Sequence, residues 1–363
     1  MLQHPFFADK QILVIDADTK KHNDRTWCFW EQGQGLFEPV VHHQWKQIDF
    51  FSTRFSARFD LDPYAYKMIR GIDFYQHVLQ EAKQHNHVHF VTGKVQSVQN
   101  EQGRATVIVN DTIYTADYVF NSIVFTHAAA EKTDGYYYLL QHFKGWLIET
   151  PDDCFSEKVA TFMDFRVPQQ KGTSFVYMLP VSPRKALVEY TQFTETLLQQ
   201  EEYDEQLKEY IQSTLHLERY RIVEEEFGII PMTNYPFSKG EGQIINIGTA
   251  GGHTKGSSGF TFQFIQKNTA AIVNALVQGK DPHINSTWFH KRFNLYDSTL
   301  LRVLQYRALG GDQVFADLFQ RNTPQQVLKF LDNETNLIQE LKILQSVPTG
   351  VFLPAAIKEI FHF

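Results

Sequence analysis

The chain has 363 residues, 43% of them hydrophobic, which is enough for a sizeable core and favours two intertwined domains. Its net charge of −7 provides no positive field for nucleic acid or for charge-driven binding to anionic lipid. The two cysteines, Cys28 and Cys154, match neither a metal-ligand nor a disulfide pattern, which is typical of a cytoplasmic protein.

The first predicted element is a buried parallel strand, residues 12–15, which ends at Asp16. In a dinucleotide-binding fold, an acid at this place hydrogen-bonds a ribose about 20 residues after a glycine-rich turn. No such turn precedes Asp16, and residues 1–7 resemble the end of a helix. We therefore expect the first strand and its GxGxxG turn to lie upstream of Met1. The alternative is a fold that never had this strand.

The middle of the chain changes from mixed to strand-like patterns. A helix is predicted from Asp73, directly after a connecting segment that ends at Arg70. Alternating or apolar segments then predict strands, and a helix near residues 195–216 interrupts them. Strands of this kind between residues 125 and 230 favour an antiparallel sheet.

A glycine-rich loop, residues 248–259, follows a short apolar strand at 243–247 and precedes a predicted helix at 260–278. Backbone N–H groups at such a junction can meet an anion or an electron-rich ring. A surface loop without function is the alternative.

The rest of the chain is predicted to be a helical layer, in which 323–326 form a capping box with proline at the first helical position. The apolar segment at 351–363 would either dock on the core or rest on a bilayer. The histidines lack metal-ligand spacing, and His253 is expected only to contact its own loop.

Four segments in order resemble the lycopene cyclase family: residues 23–31, residues 63–70, residues 225–232 and the loop from Gly248 to Phe260. No single segment is decisive, whereas the ordered set is fairly specific and spans most of the chain. The resemblance implies an α/β fold of the FAD-binding, Rossmann-like hydroxylase type. An antiparallel substrate domain, 125–239, would divide an FAD domain formed by 1–124 and 240–285, and a helical region, 286–363, would follow.

The resemblance also implies the cofactor contacts. Asp16 would meet the adenosine ribose, Arg70 would lie against the cofactor, and the glycine-rich loop would approach the flavin. The loop residues concerned are Gly248, Thr249, Ala250, Gly251, Gly252, Gly256, Ser257, Ser258 and Gly259.

Family members cyclise the ends of a linear carotenoid such as lycopene without net oxidation, using reduced FAD, so a reductant such as NADPH is implied. The expected location is cytoplasmic, in agreement with the cysteine pattern. Because the substrate is apolar, peripheral contact with the inner face of the cell membrane is the further expectation. Such chemistry requires an acid, a base and shielding of positive charge.

The family's acidic strand motif corresponds to residues 187–191, which assigns proton transfer to Glu189, and Tyr190 occupies the second acidic position. By strand alternation Glu189 shares a face with Leu187, Thr191 and Phe193, where burial would raise the pKa of its carboxyl. From composition alone a solvated strand carboxylate is the alternative.

Aromatic residues make up 14% of the chain, and Trp27, Phe29 and Trp30 are candidates for an aromatic lining that faces a cation. Ordinary core packing is the alternative. Glu31 is a candidate second proton carrier.

Two rival functions remain at this stage. A flavin monooxygenase of the same fold would consume oxygen and change the mass of the substrate. A carotenoid-binding fragment without activity would result if the pyrophosphate cradle were missing.

Overall fold

The computed structural model describes residues 1–101, 103–124, 135–284 and 287–361 of the chain. Within these ranges the strands form five sheets, and helices cover the largest of them. The mixed α/β architecture with a helical C-terminal layer confirms the predicted fold class. The expected domain boundaries near 125 and 286 fall outside the described residues.

Two pairs of short parallel strands form the part of the molecule that was expected to hold a cofactor. β1 (Ile12–Asp16) pairs with β7 (Val88–Thr92), and β11 (Val119–Asn121) pairs with β18 (Ile244–Asn246), to which β17 (Gly240–Glu241) adds an antiparallel edge. Among the described strands the two pairs belong to separate sheets. They do not form the single continuous sheet of a dinucleotide-binding fold.

A cleft of about 990 Å³ borders both parallel pairs. Ile12 and Ile15 of β1 line it from one side, and Phe120 and Asn121 of β11 line it from the other. The N-terminal segment also contributes to the lining, but as a single 3-10 turn, Pro5–Phe7, and not as the end of a helix that the sequence predicted.

Two smaller sheets complete the first third of the chain. β2 (Thr26–Gln32), β6 (Tyr64–Arg70) and β3 (His43–Trp45) form one of them, and α1 (Gly71–Lys83) follows β6 directly. The helix thus begins two residues before the predicted start, with Asp73 in its first turn. The other sheet is the antiparallel meander of β8 (Val95–Glu101), β9 (Arg104–Val109) and β10 (Thr112–Ala116).

The largest sheet has seven strands in the order β16-β12-β15-β14-β13-β4-β5. Its strands are β4 (Gln47–Phe51), β5 (Ser56–Asp60), β12 (Tyr138–Glu149), β13 (Val159–Asp164), β14 (Thr173–Ser182), β15 (Lys185–Thr194) and β16 (Arg221–Thr233). The predicted antiparallel sheet is present. However, β4 pairs with β13 in parallel, so strands from the expected FAD domain and from the expected substrate domain share this sheet.

The two faces of the large sheet are covered by different helices. Along β15, Leu187 and Phe193 face a large aromatic cluster, whereas Val188 and Tyr190 face α2 (Gln200–Glu209) and the π-helical turn after it. This period of two confirms the predicted alternation. Glu189 therefore projects toward the aromatic cluster and Tyr190 away from it.

The C-terminal helices cover the aromatic side of the sheet. They are preceded by α3 (Phe262–Val277) and comprise α4 (Trp288–Gln305), α5 (Gly311–Arg321), α6 (Pro324–Leu331), α7 (Leu337–Ser346) and α8 (Thr349–Ile360). Phe319 of α5 stacks on Phe50 of β4, with ring centroids 4.9 Å apart. The predicted capping box is present, because Thr323 accepts a hydrogen bond from the backbone of Gln326.

The last helix is anchored to the protein by buried Glu359, which accepts hydrogen bonds from Arg302 of α4 and from the Tyr137 hydroxyl. Other apolar side chains of α8 are exposed, among them Leu353 and Ile357. Within the described residues, no helix combines the length and the apolar character needed to cross a bilayer.

Candidate active site

Two glutamates on non-adjacent strands of the large sheet meet over a glycine. In the backbone register, Gly145 of β12 lies opposite Glu189 of β15 and, on its other side, opposite Glu226 of β16. Residues aligned across an antiparallel sheet project from the same face. The two carboxyl groups therefore extend over a position without a side chain, and they hydrogen-bond to each other.

Two threonine hydroxyls fix the carboxyl pair. Thr191, two residues after Glu189 on the same face of β15, donates from its Oγ1 to Glu189 Oε1 at 2.9 Å. Thr26 of β2 donates from its Oγ1 to Glu226 Oε2 at 2.8 Å. Because β2 belongs to another sheet, the carboxyl pair also connects two layers of the fold.

Burial gives the two carboxyls different protonation behaviour. Burial, and then the charge of Glu226, raises the pKa of Glu189 well above its usual value. Burial also raises the pKa of Glu226, but hydrogen bonds from Thr26 and Glu189 act to lower it. Of the two carboxyls, Glu189 therefore has the more strongly raised pKa and is the favoured holder of a shared proton. Both residues are half-buried.

Uncharged side chains surround the pair. Tyr177 of β14 lies opposite Glu189 in register, and Cys28 of β2 and Tyr66 of β6 are hydrogen-bonded to each other nearby. Burial raises the pKa of all three groups well above their usual values, and the charge of Glu189 adds to this effect. The thiol and both phenols are therefore neutral at physiological pH.

The aromatic residues of β2 divide between two faces of the strand. Trp30 is on the same side as Thr26 and Cys28, and packs edge-on against Phe162 with ring centroids 6.2 Å apart. Trp27 and Phe29 point to the other side, where both contact Phe262 of α3. Trp27 and Phe29 therefore lie on the face of β2 opposite to Trp30, because a strand alternates its side chains. The lining of a substrate by these three residues stays a prediction.

Glu31 does not join the carboxyl pair. Its Oε2 accepts a hydrogen bond from the fully buried ammonium group of Lys67 at 2.9 Å, and Glu38 binds the same ammonium group. In this ion pair Glu31 helps to neutralise a buried cation, away from the Glu189–Glu226 pair. Its candidate role as a second proton carrier stays a prediction.

The glycine-rich loop packs inside the molecule and is not a surface loop. Gly248–Gly251 form a 3-10 turn after β18, and most of the loop is buried, including His253, Ser257 and Ser258. As predicted, His253 contacts its own loop, since its Nδ1 accepts from the Gly248 N–H at 3.2 Å. Burial lowers the pKa of His253 to about 4, so its ring is neutral.

A buried ion pair fixes this loop to the helical layer. Lys255 donates from Nζ to Asp297 Oδ1 of α4 at 2.6 Å and to Asn333 Oδ1 at 2.8 Å. Ser257 donates from its hydroxyl to the same oxygen of Asp297 at 2.7 Å. The loop therefore has a defined position relative to α3, which begins at Phe262.

Asp16 and Arg70 have local partners. Asp16 is exposed at the end of β1, where its Oδ1 accepts from the Asp18 N–H at 2.8 Å and its Oδ2 lies 3.3 Å from Lys20 Nζ. Arg70 is the N-cap residue of α1 and makes a two-fold ion pair with Asp73 in its first turn. Their predicted roles toward a cofactor stay predictions.

The residues present fit one end of the FAD that the resemblance implies. At the flavin end, the buried hydroxyl of Ser258 has no hydrogen-bond partner. Three residues later, Thr261 precedes α3 and its side chain does not cap the N–H groups of the first turn. The Ser258 hydroxyl and these backbone N–H groups could bind the polar edge of a flavin ring. At the other end, the described residues provide no glycine-rich turn beside Asp16 for a pyrophosphate.

Sequence reasoning did not find Glu226, Thr26 or Gly145. Glu226 lies in a run of three glutamates, 224–226, and within the segment 225–232 that resembles the family. Nothing in the local sequence distinguishes it from the neighbouring glutamates. Only the pairing of β16 with β12 shows that Glu226 faces Glu189 whereas Glu225 faces Lys144 on the opposite side.

We expect Asp297→Ala to destabilise the fold by about 3–5 kcal/mol, because the Lys255 ammonium group would lose its charged partner in the interior. The matched control is Asp9→Ala, which removes an exposed ion pair with Lys10 and should cost less than about 1 kcal/mol. Urea unfolding followed by circular dichroism measures both. Equal midpoints for the two variants would contradict an anchoring role of this ion pair.

Comparison with known proteins gives the family and the fold. No curated protein sequence matches the chain. Among solved structures, it is similar to a geranylgeranyl bacteriochlorophyll reductase-like protein from Thermoplasma acidophilum, with a TM-score of 0.58, 12% identity, and 97% of this chain and 92% of that chain covered. It is also similar to a flavoprotein/dehydrogenase from Cytophaga hutchinsonii, with a TM-score of 0.56, 11% identity, and coverage of 88% and 84%.

A flavin-dependent halogenase from Xanthomonas campestris gives a TM-score of 0.53 at 10% identity, with 92% of this chain and 76% of that chain covered. At such identities the likeness shows the fold alone. The family follows from the sequence: the family model described as "Lycopene cyclase protein" matches residues 8–356. This chain therefore belongs to the lycopene cyclase family.

Proposed function

We propose that the protein is a lycopene beta-cyclase, which converts the linear ends of lycopene to beta-rings and yields beta-carotene through gamma-carotene. The observation that carries this proposal is the protonated Glu189 carboxyl, held against Glu226 and facing an aromatic cluster. Family membership supports a carotenoid substrate. The reaction is an isomerisation, so it needs an acid and a base but no net oxidant.

Glu189 is the proton donor in this proposal. Its raised pKa keeps the proton at neutral pH, and Thr191 fixes the orientation of the carboxyl group through Oε1. Protonation of a terminal double bond requires a positioned carboxyl that still carries its proton at neutral pH, and a desolvated carboxyl beside apolar groups meets that requirement. The proton adds to the terminal alkene, and attack by the next double bond closes the ring and leaves a carbocation.

The aromatic cluster beside the carboxyl pair excludes water and stabilises positive charge. Phe162 packs edge-on against Trp30, Tyr66 and Tyr177, with centroid distances of 6.2, 5.3 and 5.9 Å. Aromatic faces attract cations, with a contribution of about 2 kcal/mol when desolvated. A cation formed beside this cluster would be stabilised by the aromatic faces of these rings.

FAD is the proposed cofactor, with the loop residues from Gly248 to Gly259 and the first turn of α3 holding its flavin and Asp16 its ribose. Bound in the reduced form, for which NADPH is the proposed source of electrons, the flavin supplies an electron-rich face for the cationic intermediate. Gly259 has φ +70°, and a Cβ there would lie 2.4 Å from Gln141 Oε1, so the loop conformation requires glycine at this position.

We also propose that the protein binds peripherally to the cytoplasmic face of the cell membrane, where its apolar substrate dissolves. α7 exposes Leu337, Ile338 and Leu341, and α8 exposes Leu353 and Ile357. Such apolar helix faces bind the interfacial region of a bilayer. The net charge of −7 means that this binding depends on apolar contact and not on anionic lipid.

Glu189→Gln should abolish ring closure, because glutamine has the same shape but is no acid. In a lycopene-accumulating host, the wild type is expected to convert lycopene to cyclic products of unchanged mass, whereas the variant leaves it linear. Chromatography with mass spectrometry measures both. The control is Glu201→Gln in the first turn of α2, which is exposed and should remain active. Cyclic pigment from Glu189→Gln would exclude Glu189 as the donor, and an oxygenated product would favour the monooxygenase.

Because Asp16 is proposed to hold the adenosine ribose, FAD should bind at least about tenfold, or 1.4 kcal/mol, more tightly than FMN, which has no adenosine. Quenching of flavin fluorescence during titration with protein measures the two dissociation constants. Gly259→Val should weaken both ligands together, because it distorts the loop that both would contact. Equal affinities for FAD and FMN would argue against a contact between Asp16 and the cofactor.

Replacing Leu337, Ile338 and Leu341 together with serine should reduce the fraction bound to neutral phosphatidylcholine vesicles by at least about tenfold, since each loses apolar area that a bilayer would bury. Vesicle flotation measures binding. The control is Ile113→Ser, which removes a similarly exposed apolar residue from β10. Equal flotation of both variants, or no flotation of the wild type, would argue against this surface.

A further inference from the structure

The space over Gly145 is what allows the two glutamates to touch. Gly145 separates Glu189 and Glu226 by one strand on each side, so their Cα atoms are about 10 Å apart across the sheet. A Cβ on Gly145 would lie 3.0 Å from Glu226 Cγ, 3.3 Å from its Oε1 and 3.1 Å from Leu187 Cδ1. Any larger residue would push the Glu226 side chain away from the shared space.

The hydrogen bonds around Glu189 and Glu226 leave the position between the two carboxyl groups for a shared proton. Thr26 donates to Glu226 and Thr191 donates to Glu189, so neither threonine accepts the proton of the carboxyl pair. Two carboxyl groups that hydrogen-bond to each other require at least one proton between them. With one shared proton the pair carries a single negative charge, which lies on Glu226 when Glu189 is protonated.

No cation neutralises this charge within the part of the chain that the structure describes. The titratable groups facing the pair are Cys28 on β2, Tyr66 on β6, Tyr177 on β14 and the carboxylate of Glu224 on β16, and none of them carries a positive charge. The nearest cation along β12, Lys144, projects from the opposite face of the sheet and binds Asp204 and Glu225. A carboxylate in such surroundings attracts a cation that forms beside it.

We propose that Glu226 is the general base that completes the reaction: its carboxylate takes the proton that the cyclised cation loses, and returns it to Glu189 across Gly145. This inference rests on the cyclase function proposed above. It assigns a second catalytic residue and makes Gly145 the positioning residue that brings the two carboxyls together.

The steps balance without a further reactant. The Glu189 proton bonds to the terminal alkene carbon, and the ring C–C bond forms from the next double bond. A ring C–H bond beside the cationic carbon then breaks, its proton goes to Glu226, and its electron pair forms the ring double bond. Transfer of the proton from Glu226 to Glu189 through their hydrogen bond restores the starting state. The substrate gains one proton and loses one.

The test compares Glu226→Gln with Glu225→Gln, which changes the neighbouring side chain on the opposite face of the same strand. Glutamine at 226 can still accept from Thr26 but cannot take a proton. We expect kcat for ring closure to fall about 10²–10⁴-fold with KM nearly unchanged in Glu226→Gln, and to stay at the wild-type value in Glu225→Gln. A wild-type rate in Glu226→Gln would overturn the proposal.

A second measurement does not depend on activity. Infrared spectroscopy with isotope-labelled glutamate follows the carbonyl band of the protonated Glu189 carboxyl as the pH rises. Removing the Glu226 charge should lower the pKa of Glu189, so the band should disappear at lower pH in Glu226→Gln than in the wild type or in Glu225→Gln. An unchanged titration would overturn the shared proton even if the rate fell.

Gly145→Ala provides an independent variant, because it separates the carboxyls without altering either one. We expect the same direction of change in the infrared titration and in kcat; a wild-type titration in this folded variant would contradict the role of Gly145. If the wild type made no cyclic carotenoid, the proposed function would fail. The infrared titration would still decide whether Glu189 and Glu226 share a proton.

Discussion

The contact between two carboxyl groups over a missing side chain determines the chemistry available to this protein. Glu189 and Glu226 come from strands that are not neighbours, and they meet because Gly145 on the strand between them leaves the space open. The glycine is required here for close approach and not for backbone conformation. One absent methyl group thereby turns two separate glutamates into one unit that can both give and accept a proton.

The glutamate pair differs from the buried lysines of the molecule in having no oppositely charged partner among the described residues. Three buried lysines are each bound by carboxylates: Lys67 by Glu31 and Glu38, Lys144 by Asp204 and Glu225, and Lys255 by Asp297. The glutamate pair instead faces phenols, a thiol, hydroxyls and the carboxylate of Glu224, and no cation among the described residues. An unneutralised buried charge is costly for folding, and such costs are typical of functional sites, where the charge acts on a ligand.

The sequence was sufficient for features that depend on local pattern. Alternation along β15 placed Glu189 on the aromatic face, and the strand, glycine-rich loop and helix around Gly248 were recognised from residue type and order. The same period of two, applied to β2, separates Trp30 from Trp27 and Phe29, so their division between two faces was predictable from the sequence. Features that depend on long-range pairing were out of reach. The position of Glu226 follows from the order of β12, β15 and β16, and the partner of Lys255 lies 42 residues further along the chain.

The parallel pairing of β4 with β13 has a consequence for access to the carboxyl pair. An early strand is built into the large sheet, while β2 and β6 of the adjoining layer belong to the same early part of the chain. Pulling these layers apart as rigid bodies would strain or break backbone hydrogen bonds in the sheet. A ligand of the carboxyl pair is therefore expected to bind between layers that stay together, with local side-chain motion as the main adjustment.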